Sequence, residues 1–589
     1  MTAGLDTFGF AQTNKRDAGS GVSEGVVTDG ELIARAALWC AHDPDAATRA
    51  ELAGLLAGAR SQDAEALDEL RSRCAGPLEF GTAGLRAAVG AGESRMNSAV
   101  VIRATAGLAR YLLDVVGPDA VVVVGCDARH GSSRFRIAAL QVLSGAGLRA
   151  IALPAQLPTP ITAYAVRALG ADAGIMITAS HNPPADNGYK VYLGGRATDT
   201  DGAGVQIVPP ADTEIASRIA DSPAADEVPR SDDRITDADP DLVHGYVART
   251  ASLRGRTEPS PVRVVLTAMH GVGGTTAMRV LRAAGIADVH PVPAQFLPDP
   301  DFPTVAFPNP EEPGAIDLAI AHAQDVDADV VIALDPDADR CSVATSRDGL
   351  WRQLSGDEIG ALLGEQAAAD ASRPGDTLAC SIVSSRLLGR IAAAHGLRFT
   401  QTLTGFKWIA RTPGLRFGYE EAIGYCTDPD AVHDKDGIAA AVRIITLVED
   451  LAATGAGLED QLDHLAHVHG LHSTSALSVR VEHPAVIEAT MTRLRSARVD
   501  RFAGEAIVEF RDLARGGDDL PPTDALLFRT AADDRVIIRP SGTEPKLKCY
   551  LEVVIPADDV RTAGVRVARA TAQARLDDLA TELTSLLKL

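Results

Sequence analysis

No apolar stretch in the 589-residue sequence is long enough to cross a bilayer, which takes about 20 consecutive apolar residues, so no membrane partner is expected. Residues 1–21, MTAGLDTFGFAQTNKRDAGSG, hold no apolar core of the kind a signal peptide needs, and a cytoplasmic protein is expected. The cysteines Cys40, Cys74, Cys126, Cys341, Cys380, Cys426 and Cys549 are scattered, odd in number and without a CxxC pair. That predicts reduced, mostly packed thiols. Positive charge is short as well: 56 Lys and Arg stand against 79 Asp and Glu, a net charge of −23. A general nucleic-acid binder needs a basic surface to displace counterions, so nucleic acid is not an expected partner. An anionic small molecule stays possible, because a local cluster of cations can dominate the field inside a cleft. Low-complexity repeats are absent too.

The chain is too long for one core, and several domains are expected. A hydrophobic fraction of 46% and a charged fraction of 23% are ordinary for a globular protein. Residues 1–28 read as a loose polar tail. Apolar residues at helical spacing follow from Glu31 to Cys74. Strands and helices then alternate: VVVVG at 121–125 as a buried strand, 135–147 as a helix ending in glycines, AGIMIT at 173–178 as a strand. The rhythm recurs from PVRVVLTAMHG (261–271), with its strand DVVIAL (329–334), and again from DTLACSIVSS (376–385). Such alternation builds α/β layers rich in parallel strands. The Asp-, Pro- and Ser-rich stretch Ala211 to Pro240 reads as a linker, and a second boundary falls near Ser355. From about Ser473 the pattern changes to strands and a terminal helix, a smaller α+β domain. The expected limits are 29–235, 236–355, 356–472 and 473–589.

Five segments could carry chemistry. Thr178-Ala179-Ser180-His181-Asn182-Pro183 follows an apolar strand, where α/β folds bind ligands, although an ordinary turn has the same letters. Asp335-Pro336-Asp337-Ala338-Asp339-Arg340 also follows an apolar strand. If that segment is extended, alternate residues point the same way, and three carboxylates so placed repel unless a cation sits between them. Hard oxygen ligands suit magnesium. An EF-hand is rejected, since its sixth and twelfth positions would be Arg340 and Ser346. Arg539-Pro540-Ser541-Gly542-Thr543-Glu544-Pro545-Lys546 sets two cations around two hydroxyls and a glycine, a loop that can surround a phosphate or simply be a charged turn. Phe80-Gly81-Thr82-Ala83-Gly84-Leu85-Arg86 and Gly418-Tyr419-Glu420-Glu421-Ala422-Ile423-Gly424 are weak alone. So is Gly125-Cys126-Asp127-Ala128-Arg129-His130, where Asp127 and Arg129 read as a local ion pair.

In this order, FGTAGLR, TASHNP, DPDADR, GYEEAIG and RPSGTEPK resemble the α-D-phosphohexomutase superfamily, from about residue 75 to the C-terminus. LTGFKWI at 403–409, GYEEAIGY at 418–425 and HDKDG at 433–437 look most like the branch of the second phosphoglucomutase type and the phosphopentomutases. The resemblance implies four domains around a central cleft, three related α/β domains and a smaller α+β one. By position, Ser180 would carry the phosphoryl group, with His181 beside it. Asp335, Asp337 and Asp339 would bind Mg2+ together with an oxygen on Ser180. Arg86 and Lys190 would serve in proton transfer or phosphate stabilisation, and a lysine with a lowered pKa could act as base. Arg340, Thr404, Gly405, Phe406, Glu420, Glu421 and Lys435 would bind the sugar. Arg539, Ser541, Gly542, Thr543 and Lys546 would hold the phosphate that is not reacting.

The implied reaction interconverts hexose 1-phosphate and hexose 6-phosphate through a sugar bisphosphate, which also serves as activator. Many relatives carry Glu-x-Ser in the sugar motif, whereas Glu420 here is followed by Glu421 and Ala422. That leaves a pentose phosphate possible, and sugar-bisphosphate synthesis as well. A phosphosugar hydrolase would use the same serine and metal, but the RPSGTEPK segment favours a mutase. A non-catalytic binding protein would be expected to lose the serine or an aspartate, and this chain has all four. The expected partner is a small phosphosugar, and the expected assembly a monomer or homodimer.

Overall fold

The computed structural model describes residues 28–81, 83–481, 484–497, 499–517, 520–541 and 546–587. It opens with three helices, Asp29–His42, Ala46–Arg60 and Ala64–Arg73, in the span that reads as helical from sequence. Each has a side-chain N-cap: Thr28 in a capping box with Glu31, then Asp45 and Asp63. Leu32, Ala36, Leu52, Leu56, Leu67 and Leu70 pack together as their shared core.

The first sheet runs in the order Leu85–Ala88, Asp186–Leu193, Ala173–Ile177, Val121–Cys126, Arg149–Ala152, Ile235–Asp237. Its middle is parallel, Val121–Cys126 pairing with Arg149–Ala152 on one side and Ala173–Ile177 on the other. The linker expected over Ala211 to Pro240 is not one. It holds the helix Ala211–Ala220 and the edge strand Ile235–Asp237, which pairs parallel with Arg149–Ala152. The composition is misleading because few apolar residues are needed there. Ile215, Ala225 and Val228 are buried in the first core, and Ile219 lies partly buried against it.

The second sheet is ordered Leu350–Gln353, Cys341–Arg347, Val330–Leu334, Val264–Thr267, Val289–Pro291; the third is Arg398–Thr402, Thr377–Ser381, Leu415–Glu420, Gly424–Cys426. One continuous apolar core joins them, through helices such as Gly437–Ala452. The fourth sheet, from Leu471–Arg480 across to Arg501–Phe502, is antiparallel throughout. The helix Val565–Leu587 covers it with a stripe at Ala568, Ala572, Leu576, Leu579, Leu583 and Leu587, close to the 3.6-residue period. All seven cysteines are free, and six are buried. No described helix is long and apolar enough to cross a membrane.

The strands Ala173–Ile177, Val330–Leu334 and Leu415–Glu420 each end at one of the segments singled out in the sequence. Loops beyond the carboxyl ends of such strands are where α/β folds place ligands.

Candidate active site

Ser180 lies three residues beyond the end of Ala173–Ile177, with φ +51, in a left-handed conformation that turns the chain sharply. It is 1% exposed. Its Oγ donates to Asp335 Oδ2 at 2.8 Å and lies 3.1 Å from His181 Nδ1, and its N–H donates to Thr178 Oγ1 at 2.9 Å. Burial and the nearby Arg340 and Arg86 cations hold His181 well below the usual histidine range, so its imidazole is neutral.

Arg129 fixes this turn. Its guanidinium donates to the carbonyls of Ser180 (2.6 Å), Asn182 (2.5 Å), Pro183 (2.8 Å) and Asp186 (3.1 Å), and it stacks over Phe302. The local pair read from sequence exists, since Asp127 Oδ2 is 3.6 Å from Arg129 Nε, but it is the lesser part of what Arg129 does. Only the fold reveals the rest, because the carbonyls lie more than fifty residues downstream.

The aspartates converge by a different route from the extended segment expected. Asp335 to Asp339 form a tight turn, and Ala338 has φ +55. The turn is gripped by neighbouring backbone. A Cβ on Gly271 would come within 2.3 Å of Pro336, and one on Gly437 within 2.3 Å of the Arg340 carbonyl. Asp335, Asp337 and Asp339 are buried, with one oxygen of each within 4.8 Å of the others. Asp337 Oδ2 takes bonds from Thr159 Oγ1 (2.7 Å), Lys190 Nζ (2.8 Å) and Thr178 Oγ1 (3.3 Å). The other oxygens, Oδ1 of Asp337 and Oδ1 of Asp339, are buried with no hydrogen-bond partner. Three carboxylates that leave buried oxygens unsatisfied suit a hard divalent cation, and this cluster could hold one.

Lys190 departs from expectation. Burial pulls its pKa down, but Asp337 at 2.8 Å and Asp339 at 3.1 Å outweigh that and leave it raised. In this arrangement Lys190 is a fixed cation, not a poised base. Arg86, on Leu85–Ala88, donates to Asn182 Oδ1 at 3.2 Å, and burial lowers its pKa.

The third sheet supplies the facing wall. Arg340 donates to the Ala422 carbonyl at 3.1 Å and lies 3.8 Å from Glu311. Burial raises Glu311 to about 7 and raises Glu420 too. Glu421, partly buried, accepts from Ser381 Oγ (2.9 Å) and Ser384 Oγ (3.2 Å). Lys435 spans Asp434 (3.3 Å) and Asp339 (3.4 Å) and sits 5.3 Å over the Phe406 ring. Phe406, 3% exposed, begins a short helix after Thr404 and Gly405 and packs into an apolar cluster.

From the fourth sheet, Arg539 is the penultimate residue of the strand Arg535–Pro540, and Lys546 begins Lys546–Ile555. The Ser541 N–H donates to the Lys546 carbonyl at 2.8 Å, closing the hairpin. Gly542 and Thr543 lie outside the described residues. Two lysines escaped the sequence reading. Lys407 is brought down to about 8, first by burial, and the Arg411 and Arg539 cations add to that. Lys548 is opposite Arg539 in register and is also lowered by burial. The signals were there: Lys407 directly follows Phe406, and Lys548 is two residues past Lys546, hence on the same face of the strand.

Four family descriptions match the chain in series. They are phosphoglucomutase/phosphomannomutase alpha/beta/alpha domain I (77–225), domain II (244–349) and domain III (355–468), and the C-terminal domain (491–570). A probable phosphomannomutase of Haemophilus influenzae is 43% identical over 461 residues, 78% of this chain and 93% of that protein. Mouse phosphopentomutase is 36% identical over 587 residues, 90% of this chain and 92% of its own. The structure of a putative phosphomannomutase from Thermus thermophilus superposes with a TM-score of 0.64 at 24% identity, over 84% of this chain and 99% of that one. That likeness shows the fold. With all four domains matched in order and relatives this similar over most of its length, the chain belongs to the phosphoglucomutase/phosphomannomutase family, near its phosphopentomutases, and is a phosphosugar mutase, an isomerase that works by phosphoryl transfer.

Proposed function

We propose that the chain moves a phosphoryl group between the anomeric and the terminal hydroxyl of a sugar phosphate by way of Ser180. The observation that carries this is the 2.8 Å bond from Ser180 Oγ to Asp335, which joins the serine hydroxyl of the TASHNP loop to a carboxylate cluster with unsatisfied buried oxygens. Phosphoryl transfer requires in-line placement and cations against the spreading oxygen charge. Magnesium between Asp335, Asp337 and Asp339 supplies part of that charge when bound. Lys190, Arg86 and Arg340 supply the rest, and Arg129 holds the serine turn in place. In one half-reaction the serine oxygen bond to phosphorus breaks as the sugar oxygen bond forms, giving a sugar bisphosphate. The sugar hydroxyl proton ends on the departing serine oxygen, and the neutral His181, 3.1 Å from Ser180 Oγ, is placed to relay it. The second half-reaction runs the same step backwards from the other phosphate. Arg539, Ser541 and Lys546, with Lys407 and Lys548, grip the phosphate that is not reacting. The domains we assign keep the expected order, with the first limit moved to 237/238 and the last to 470/471, so that Ile235–Asp237 stays in the first sheet and Leu471–Arg480 in the fourth.

The sugar selectivity we propose is loose, spanning hexose and pentose 1-phosphates. Glu421 is drawn off by Ser381 and Ser384, and Ala422 offers no hydroxyl, which leaves Glu420 as the sugar-reading carboxylate of its segment. Sites that lack a hydrogen bond discriminate weakly against analogues. The relatives' names, a phosphomannomutase and a phosphopentomutase, support the same breadth. The test is a coupled assay of glucose, mannose and ribose 1-phosphates with a trace of bisphosphate, alongside peptide mapping of the phosphate. Ser180→Ala should stay folded and lose nearly all turnover, with phosphate mapped to Ser180 in the parent. Full activity in that variant removes the serine mechanism, and selectivity above roughly ten-thousandfold between glucose and mannose 1-phosphates removes the loose-sugar reading.

A further inference from the structure

A second cationic cavity lies at the opposite end of the strand that carries Glu420. Leu415–Glu420 presents Glu420 to the cleft, while Arg416, four residues earlier, lines a cavity of about 90 Å³ on the far side. Four residues of strand separate the two by roughly 13 Å. The cavity forms where the helices Pro240–Ser252 and Gly437–Ala452 meet the third sheet, and these bring Arg249 and Arg443 to it; Arg373 enters from the loop before Thr377–Ser381.

Most of these cations are already paired. Arg249 makes two 2.7 Å bonds to Asp428, Arg373 holds Asp430 at 2.5 Å, and Arg443 bonds Asp370 at 2.5 Å. Arg416 differs, because its Nε is buried without a hydrogen-bond partner. Thr427 lines the cavity too, and its hydroxyl is buried without a partner as well. Two unsatisfied polar atoms on residues that line one small cavity each carry a desolvation cost of about 1–3 kcal/mol unless something bonds them. Of the four arginines that line the cavity, three are each matched by a carboxylate and Arg416 is not, so the cavity keeps one unmatched positive charge within a chain of net charge −23. An acceptor with several oxygens and negative charge meets all three conditions, and a guanidinium fork with a hydroxyl is a standard phosphate grip. The volume suits a phosphoryl head and little more, while the exposed side chains of Arg249 and Arg373 leave room for the remainder of a ligand outside.

We propose that this cavity is a binding site for a phosphate group, separate from the catalytic cleft, held by Arg416 and Thr427. Inorganic phosphate and a phosphate monoester share the chemistry, and the experiment separates them. Equilibrium titration of the full-length enzyme at constant ionic strength, with inorganic phosphate and with glycerol 3-phosphate as separate arms, should show one class of site that survives in Arg539→Ala. That class should weaken at least tenfold in Arg416→Gln and in Thr427→Val, with turnover of sugar phosphate unchanged at saturating substrate in both. Tighter binding of glycerol 3-phosphate than of phosphate identifies a monoester site, and the reverse identifies a site for the free ion. Arg416→Gln and Thr427→Val that keep the parent's full phosphate stoichiometry, with unchanged melting temperature, overturn the proposal. So does a parent enzyme whose phosphate binding disappears entirely with Arg539→Ala.

Discussion

At the scale of single residues, the side chains that were easiest to read are those whose chemistry is local. Ser180 and the three aspartates stand at strand ends in distinctive runs, and the structure brings Ser180 into a hydrogen bond with Asp335, one of the three clustered carboxylates. Asp337 is the most connected of them, holding Lys190 and Thr159 through one oxygen while the other is unsatisfied. Asp337→Asn removes a charge from the cluster and should weaken cation affinity at least about tenfold, the equivalent of 1.4 kcal/mol, with the rate falling in parallel. Activity that persists after exhaustive EDTA treatment would show the cluster to be a buried acidic turn without a working ion. The state of Lys190 was not legible. Its charge depends on two carboxylates that arrive from another sheet, and sequence neighbours carry no sign of them. Arg129 was read as half of a local pair for the same reason.

Elements show where composition misleads. Ala211–Ala220 reads as loop because Asp, Pro and Ser dominate around it, yet a buried Ile215 flanked by partly buried Ala211 and Ile219 seats the helix against the first sheet's core. The long alternating segments were legible because buried parallel strands need unbroken apolar runs, as in Val121–Cys126 and Val330–Leu334. The short helix Phe406–Ile409 makes a sharper point. It buries Phe406 and leaves Lys407 largely buried as well, and this burial, with Arg411 and Arg539 adding to it, lowers the Lys407 pKa to about 8. That value lies below the ordinary lysine value, so the positive charge is present below pH 8 and is lost as pH rises through it. Affinity for a sugar phosphate should therefore fall above pH 8. A KM-versus-pH profile should show that limb in the parent and lose it in Lys407→Met, whose KM should be high at every pH. A parent profile flat from pH 7 to 9.5 would mean that Lys407 does not meet the phosphate.

At the scale of the whole molecule, the site is an assembly of loops from separate sheets. No single sheet holds it, and relative placement is the part that sequence could supply only through the order of the motifs. The fourth sheet reaches the others through buried charge: Glu552 accepts from Ser385 Oγ (2.9 Å) and Arg386 Nε (2.6 Å) in the third unit and lies 3.2 Å from Arg535 in its own. Its arm carries Arg539. A grip on the distant phosphate acts on substrate, intermediate and both transition states alike, so it changes binding more than chemistry. Losing a charge-assisted arginine contact should cost on the order of 2 kcal/mol. Arg539→Ala should raise KM more than tenfold for each sugar phosphate by similar factors, and should let bisphosphate escape, so that added activator becomes necessary. An unchanged KM with normal activator demand would reduce this hairpin to a surface turn.

The aspartate turn is pinned between Gly271 and Gly437, whose backbones touch it with no room for a methyl group. A cage held that closely cannot swell. Magnesium binds oxygen at about 2.0–2.1 Å and calcium at about 2.3–2.6 Å, a difference that must be met by moving the carboxylates apart. Here outward movement of the turn is blocked on both sides, so ionic radius becomes the selector. The smaller ion should displace the larger in direct competition, and replacing either glycine by alanine should push the turn out of place and erode that preference.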